Sequence, residues 1–312
     1  MDAARRESGA RAIITASNFI QLLLSGLAMG AIYALTAMGL FVAHLATTRM
    51  NFGQGEFLMI AAYLSMALLL AGVPVLIAAV VVIGILALLG AALERFALRP
   101  LDRLKSLAGG EYSWVLTTMG VALIVQNVAT LVWGKSSQYS PPLFSDSRSN
   151  VVKIFGVGVF VEELVVIVTA LAVVAFFYWI LFRTRHGRAI HAVAFNREAA
   201  TLLGVDVKRT VTMVFVLAAV LAGISGILVG PIVTVQPHMG LVFTVKALAV
   251  ASLGGFTNPL GVLVGALIFG LTESFSNFFN SKFGDLFPLL IVLVLLVLKP
   301  SGLIGEAKAD VR

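Results

Sequence analysis

The chain has 312 residues, 60% of them hydrophobic and only 12% charged, with a mean hydropathy of +1.03 and a formal net charge of +7. That apolar share exceeds what a soluble chain of this length needs to fill a core, so most apolar side chains must face lipid or other helices, and a soluble enzyme or nucleic-acid-binding domain is excluded. There is no cysteine, which excludes disulfides and thiolate metal sites.

Residues 1–17 read as a basic N-terminal segment carrying Arg5, Arg6 and Arg11. The apolar block behind it, Phe19 to Ala46, is 28 residues long, too long for a signal-peptide core and without a clear cleavage site, so it is expected to stay attached. Further blocks follow at Phe57 to Ala71, Val73 to Leu93, Trp114 to Trp133, Leu164 to Phe182 and Val211 to Val235. Beyond them the pattern fragments. Leu241 to Leu253 and Leu260 to Leu271 flank the breaker GGFTNP, and Leu286 to Leu298 closes the series. These last three are short against the roughly 20 residues of a full span, and glycine-interrupted segments at membrane depth require surrounding protein or a hydrated path. The reading is an all-α polytopic membrane protein with eight or nine membrane segments, some short or broken. The membrane domain takes residues 18–303, with a loop at 183–210, and residues 304–312 form a cytoplasmic tail.

The loops set orientation. Arg95, Arg99, Arg103 and Lys105 mark one cytoplasmic loop, and the segment from Arg183 to Arg209 marks another, with six Arg and Lys against two acids. The stretch from Ser136 to Gly158 is then outside. At the N-terminus the rule conflicts with parity, because one pass through Phe19 to Ala46 places the arginines outside; either the block is a bent or re-entrant pair or the rule fails there.

Within the basic insert a short helix is legible. Asn196 can cap it, Glu198 suits its first turn, Ala199 to Leu203 favour helix and Gly204 can end it. A capped helix in a polar insert between two spans reads as a handle gripped by a soluble partner, with Ala199, Ala200, Leu202 and Leu203 as the docking face.

Inside the apolar blocks, Gly26 and Gly30, Gly226 and Gly230, and Gly261 and Gly265 are spaced four apart, which lets a neighbouring backbone approach closely. Three ionisable residues stand in or beside apolar sequence, where a charge costs at least about 2.5 kcal/mol. Lys246 lies in FTVKALAVASLGG, Glu273 follows FGLT, and Glu56 begins a helix after the NFGQG turn that contains Asn51 and Gln54. Lys246 and a glutamate either form a buried pair or line a hydrated route for a zwitterionic solute. His44, Gln126 and Asn127 are further intramembrane polar groups, each expected in a helix-to-helix hydrogen bond.

Enzyme motifs fail on inspection. The GKS at Gly134 to Ser136 has Ala129 where a phosphate-binding loop needs glycine, and it follows an apolar helix. His186 and His191 have no third ligand nearby in sequence, so neither metal nor cofactor is expected, and any ATP hydrolysis belongs to other chains.

The insert GRAIHAVAFNREAATLLGVDVKR with its preceding RTRH, the turn MNFGQGEFLMIAAYL, the loop ERFALRPL and the segment VKALAVASLGGFTNPLGVLVGALIFGLTES together resemble the LivH branch of the branched-chain amino-acid ABC importer permeases, over about Leu22 to Gly305. The turn reads NFAHGE in many relatives; Gly53 and Gln54 replace Ala and His here, so nothing is carried over for the histidine position and the solute stays open. The resemblance implies an ABC importer permease fold in the cell (inner) membrane of a bacterium or archaeon. It places a coupling helix for cytoplasmic ATPases on Asn196, Arg197, Glu198, Ala199, Ala200, Leu202, Leu203 and Gly204. The implied partners are a homologous LivM-type permease, two cytoplasmic ATP-binding subunits, an extracytoplasmic solute-binding protein and membrane lipid, with no nucleic acid. Each such permease forms half of a translocation path for branched-chain or related amino acids; Asn51, Gln54, Glu56, Lys246 and Glu273 are its candidate path or charge-pair residues. The alternatives are a same-family permease for urea, short amides, aromatic acids or other small solutes and, more remotely, a proton-coupled secondary transporter. A channel or receptor subunit shares the hydropathy but leaves the basic insert unexplained.

Overall fold

The computed structural model describes residues 16–101, 113–144, 151–154, 157–256, 258–299 and 302–303. Arg5, Arg6, Arg11, Arg103, Lys105 and the expected tail at 304–312 lie outside them. The helices are α1 (Ala16–Thr47), α2 (Gln54–Leu70), α3 (Val75–Ala92, continued by a π turn over Leu93–Leu98), α4 (Ser113–Trp133), α5 (Val161–Arg183), α6 (Arg185–Phe195), α7 (Arg197–Leu202), α8 (Val207–Val229), α9 (Met239–Gly254), α10 (Pro259–Phe279) and α11 (Leu286–Leu298). Each apolar block of the sequence gives one helix; α6 and α7 form the basic insert. Six helices are long and apolar enough to cross a membrane, while α2, α9 and α11 are shorter.

A two-stranded antiparallel hairpin, β1 (Val151–Ile154) and β2 (Val157–Phe160), pairs Val151 with Phe160 and leads into α5. The sequence reading had no strand in this stretch. The hairpin and the insert mark opposite ends of the bundle. Ser25 near the start of α1 donates to Glu163 Oε1 at 2.6 Å at the hairpin end, and Arg197 Nη2 donates to the Ala46 carbonyl at 3.3 Å at the insert end. Because α1 is one uninterrupted helix, a bent or re-entrant pair is excluded, and Ala16 belongs to the hairpin end.

Burial follows side-chain size. The apolar window of α1 is 89% buried, against 11% for α4. Helix α1 is rich in Gly and Ala, so neighbours pack closely on all its sides, whereas α4 points Leu116, Leu123, Ile124 and Leu131 outward. The most extensive seam lies between α1 and α10, where a Cβ on Gly30 would come within 2.8 Å of the Ala266 carbonyl, and Gly270 packs on the backbone of Gly26 and Gly30. Lipid is as apolar as leucine, so this close van der Waals contact, more than water exclusion, is what holds such helices together.

Two of the short helices, α2 and α9, start inside the bundle. Gln54 at the start of α2 lies beside Gly39 of α1 and donates to the Ala218 carbonyl at 2.8 Å. Gly39 is eight residues, or about 12 Å of helix rise, from the end of α1, so α2 starts well below the insert end. Its free N–H groups are satisfied by protein, Gly53 donating to Asn51 Oδ1 at 3.0 Å and Gly55 to Thr244 Oγ1 at 2.9 Å. Helix α9 begins with Gly240 against Gly55, and at its other end the Leu253 carbonyl accepts from Leu303 N at 2.7 Å.

The expected 12-residue segment from Leu260 to Leu271 is corrected to a 21-residue helix. Polar residues ended the apolar run in the sequence, but each finds a partner: Thr272 donates to the Ile268 carbonyl at 2.8 Å and Ser274 to the Leu22 carbonyl at 2.8 Å. In the breaker before it, Gly255 takes φ +79°, Asn258 Oδ1 accepts from Leu260 N at 2.9 Å and Pro259 fills the first helical position.

Candidate functional site

The insert is a capped helical pair. Thr184 Oγ1 accepts from Gly187 N at 3.2 Å to start α6, whose Ile190 and Val193 are buried against the bundle. Asn196 Oδ1 accepts from Glu198 N at 2.9 Å and Ala199 N at 3.0 Å, Glu198 lies in the first turn of α7, and Gly204 takes φ +82° just beyond the helix. Both termini follow from the N-cap and C-terminal glycine chemistry of the sequence.

The exposed face differs from the expected one. Ala200 is only 1% exposed and faces inward, so it is removed from the docking face. Ala199 stays exposed, and Leu202 and Leu203 are 89% and 80% exposed. Phe195, 92% exposed, joins them and was missed. Its signal was a large aromatic residue directly before an N-cap in polar sequence. Three large apolar side chains stand out from a basic insert as an exposed apolar patch. Arg197 turns the other way, towards Ala46.

His186 is exposed and His191 half-buried against Phe182, with ring centroids 5.4 Å apart. Burial lowers the His191 imidazole below its ordinary value. Among the described residues no three His, Asp or Glu side chains cluster as a metal site would require.

The five candidate path residues fall into two clusters. In one, Lys246 Nζ of α9 donates to Glu273 Oε1 of α10 at 2.8 Å and to Tyr33 Oη of α1 at 3.2 Å, and the Tyr33 hydroxyl donates to Glu273 Oε2 at 2.8 Å. Asp285, ahead of α11, also lies 2.8 Å from Lys246 Nζ. The side chains of Lys246 and Glu273 are 9% and 10% exposed, that of Asp285 63%. One cation therefore meets two carboxylates, and the cluster carries a surplus negative charge at an open edge. Sequence reasoning missed Asp285 and Tyr33; the first precedes an apolar block and the second is amphipathic inside one.

The other cluster gathers at the joint of α2 and α9. Asn51 Nδ2 donates to Gln54 Oε1 at 3.5 Å, so the Asn51 amide stays within the turn while that of Gln54 links the turn to the Ala218 carbonyl of α8. Glu56 is buried against Gly240, and its Oε2 has no hydrogen-bond partner among the described residues. A side chain on Gly240 would occupy the place of that carboxylate. Of the other polar groups, Gln126 Nε2 lies 2.9 Å from His238 Nδ1, Asn127 donates within its own helix to the Leu123 carbonyl, and His44 packs on Phe256.

Comparison with known proteins agrees with this arrangement. The family described as branched-chain amino acid transport system / permease component matches residues 22–298. The chain is 30% identical to the high-affinity branched-chain amino acid transport system permease protein LivH of Escherichia coli K12, over 94% of this chain and 97% of that protein. It is 27% identical to the corresponding protein BraD of Pseudomonas aeruginosa, over 94% and 98%. A more distant relative is the fructose import permease protein FruG of Bifidobacterium longum, 26% identical over 76% of this chain and 69% of that protein. A multi-pass helical bundle, a capped helix in a basic insert and a match along nearly the whole sequence agree: the chain belongs to the family of permease components of branched-chain amino acid ABC transport systems.

Proposed function

We propose that this chain forms half of the translocation path of an ATP-driven importer for branched-chain or related amino acids, paired with a homologous permease. One of two cytoplasmic ATP-binding subunits docks on the insert, the other on the paired permease, and an extracytoplasmic binding protein delivers the solute at the hairpin end. The observation that carries the reading is the exposed apolar tip of Phe195, Leu202 and Leu203 on a capped helix whose opposite side is bonded to α1.

The same bond supports a mechanical route. Arg197 holds Ala46, and Tyr33, on the same helix, lies 13 residues or about 20 Å further along and holds the Lys246–Glu273 pair. Motion of the insert as the ATPases close is carried along α1 to a charged cluster joining α9, α10 and the start of α11, as in a rigid-body switch between access states. In this account Lys246 and Glu273 form a conformational lock, Asn51 and Gln54 brace the α2 joint, and Glu56 lies at the path. Its carboxylate suits the ammonium group of an amino acid.

Because the chain has no cysteine, a single Leu203→Cys substitution gives an unambiguous cross-linking position. In membranes holding the whole importer, Leu203→Cys should cross-link to an ATP-binding subunit and Leu241→Cys, exposed on α9, should not. Labelling of Leu203→Cys by a soluble thiol reagent at an undiminished rate when the ATPases are present would contradict the docking. A second solute class is favoured by the fructose permease among the relatives, and competition of leucine uptake by fructose distinguishes it.

A further inference from the structure

Residues 230–238 join α8 to α9 without a helix. They start at the hairpin end, where Pro231 and Ile232 line one pocket with Phe160 and Glu163, and Gly230 packs against Ser140. Val235 then exchanges both backbone hydrogen bonds with Gln138 at 2.8 Å, just beyond the end of α4. From there the segment descends. His238 Nδ1 lies 2.9 Å from Gln126 Nε2, and Gln126 is seven residues, or about 10 Å of helix rise, inward from Trp133 at the end of α4. Val128, Leu131 and Val132, all nearer that end than Gln126, are exposed and apolar, so the lipid-facing band of α4 continues outward past this level.

Side chains along the segment alternate. Val235 and Pro237 are buried, whereas Gln236 and His238 are exposed. Ser137 donates to Gln236 Oε1 at 3.3 Å, and neither the Gln236 amide nitrogen nor His238 Nε2 has a hydrogen-bond partner among the described residues. Irregular backbone carrying open polar groups at membrane depth is incompatible with hydrocarbon and is tolerated beside a water-filled path. The helix-to-helix bond expected of Gln126 is replaced by a bond to this descending segment.

We infer that residues 230–238 line the outer part of the solute path, and that His238 Nε2 is the first group at membrane depth to bind the carboxylate of the incoming amino acid. With the Gln126 amide donating to Nδ1, the ring proton stands on Nε2 and is available to a carboxylate. Gln126 is then a positioning residue that fixes the ring. Helix α9 begins at the next residue, and the positive end of its dipole favours an anion there. Glu56, 3% exposed and with Oε2 unpartnered among the described residues, lies against Gly240 two residues further on and supplies the opposite charge for the ammonium group. A zwitterion thus meets a donor and then an acceptor where two helices start inside the bundle. The inference rests on the reading of this chain as half of an amino-acid path and deepens it.

The test uses the whole importer in proteoliposomes, with single cysteines placed in this cysteine-free chain. A charged, water-soluble thiol reagent should modify Gln236→Cys at least about tenfold faster than Val128→Cys, exposed on α4 close to the depth of Gln126, because a thiol in hydrocarbon forms little thiolate. Leucine should protect Gln236→Cys, and leucinol, which lacks the carboxylate, should need roughly tenfold more for half-protection, the affinity of one hydrogen bond to a charged group. Adding His238→Leu, a change at an exposed position, should raise the half-protecting concentration of leucine by a similar factor and leave that of leucinol unchanged. A merely structural role for His238 would shift both and overturn the carboxylate site. Leucine uptake by the parent in the same vesicles separates the two readings: absent uptake overturns the amino-acid function and this inference with it. Normal uptake with an unreactive Gln236→Cys, or with equal protection by leucine and leucinol, overturns this inference alone. So would cross-linking of Gln236→Cys to a cysteine on the paired permease in place of reaction with the reagent, which would make the segment a packing seam.

Discussion

The insert and the Lys246 cluster break the same solvent rule in opposite directions. At the insert, Phe195, Leu202 and Leu203 stand in water on a basic, helix-capped segment. In the bundle, Lys246 and Glu273 are buried among apolar helices and satisfied by Tyr33 and Asp285. Each group is in the wrong solvent, but the bundle has supplied partners for its misfits and the insert has not. An unsatisfied apolar surface in water calls for a partner from outside the chain, whereas a satisfied charge cluster is a joint within it.

Breaking the joint should have the largest effect. Lys246→Met leaves Glu273 buried without its cation and Asp285 without a partner, at a cost of about 3–5 kcal/mol. Assembly yield in membranes should collapse, and Glu273→Gln in the same chain should restore part of it. Glu56→Gln, in the other cluster, should give no rescue, and rescue by it would place Lys246 in a different pair.

A smaller loss is expected where the comparison rests on backbone contact. Gly30→Leu drives a side chain into the Ala266 carbonyl and the Leu267 Cα, neither of which can yield, and should destabilise the bundle by about 1–3 kcal/mol. Gly84→Leu on α3 meets nothing within 4 Å and should leave thermal stability unchanged. Equal midpoints for the two variants in a detergent melt would show that the α1–α10 seam is not closely packed.

The smallest effect belongs to the insert. Burial lowers the His191 pKa, so the neutral ring is the form the folded insert favours. Its contribution is present above the unfolded value near 6.5 and is lost as pH falls towards the lower folded value. Amide exchange in α6 should accelerate from about pH 7 to about pH 5.5, and His191→Phe should flatten that dependence. Exchange that is flat across this range in the parent would remove His191 from the insert's stability.

Much of this contrast was legible in the sequence. Apolar block length gave the helices, and Asn196 with Gly204 bounded α7, because both signals are local. What escaped depends on three dimensions. The inward turn of Ala200 is set by where α7 lies on the bundle, the full length of α10 by partners such as Leu22, more than 250 residues away in sequence, and the place of Asp285 by the return of α11 towards α9. The separation of Glu56 from Lys246 escaped for the same reason, since residues ten apart on one helix and 200 apart on the chain look alike until the helices are packed.

The central claim is that the exposed apolar tip of the insert couples this membrane bundle to ATP hydrolysis. It is tested most directly by ATP-driven leucine uptake into proteoliposomes holding the chain with its partner permease, ATP-binding subunits and binding protein, comparing the parent with Leu203→Arg. The account predicts normal membrane insertion of Leu203→Arg with uptake and solute-stimulated ATP hydrolysis reduced at least about tenfold, the loss expected for a buried interface anchor. Uptake by Leu203→Arg at the parental rate would contradict it.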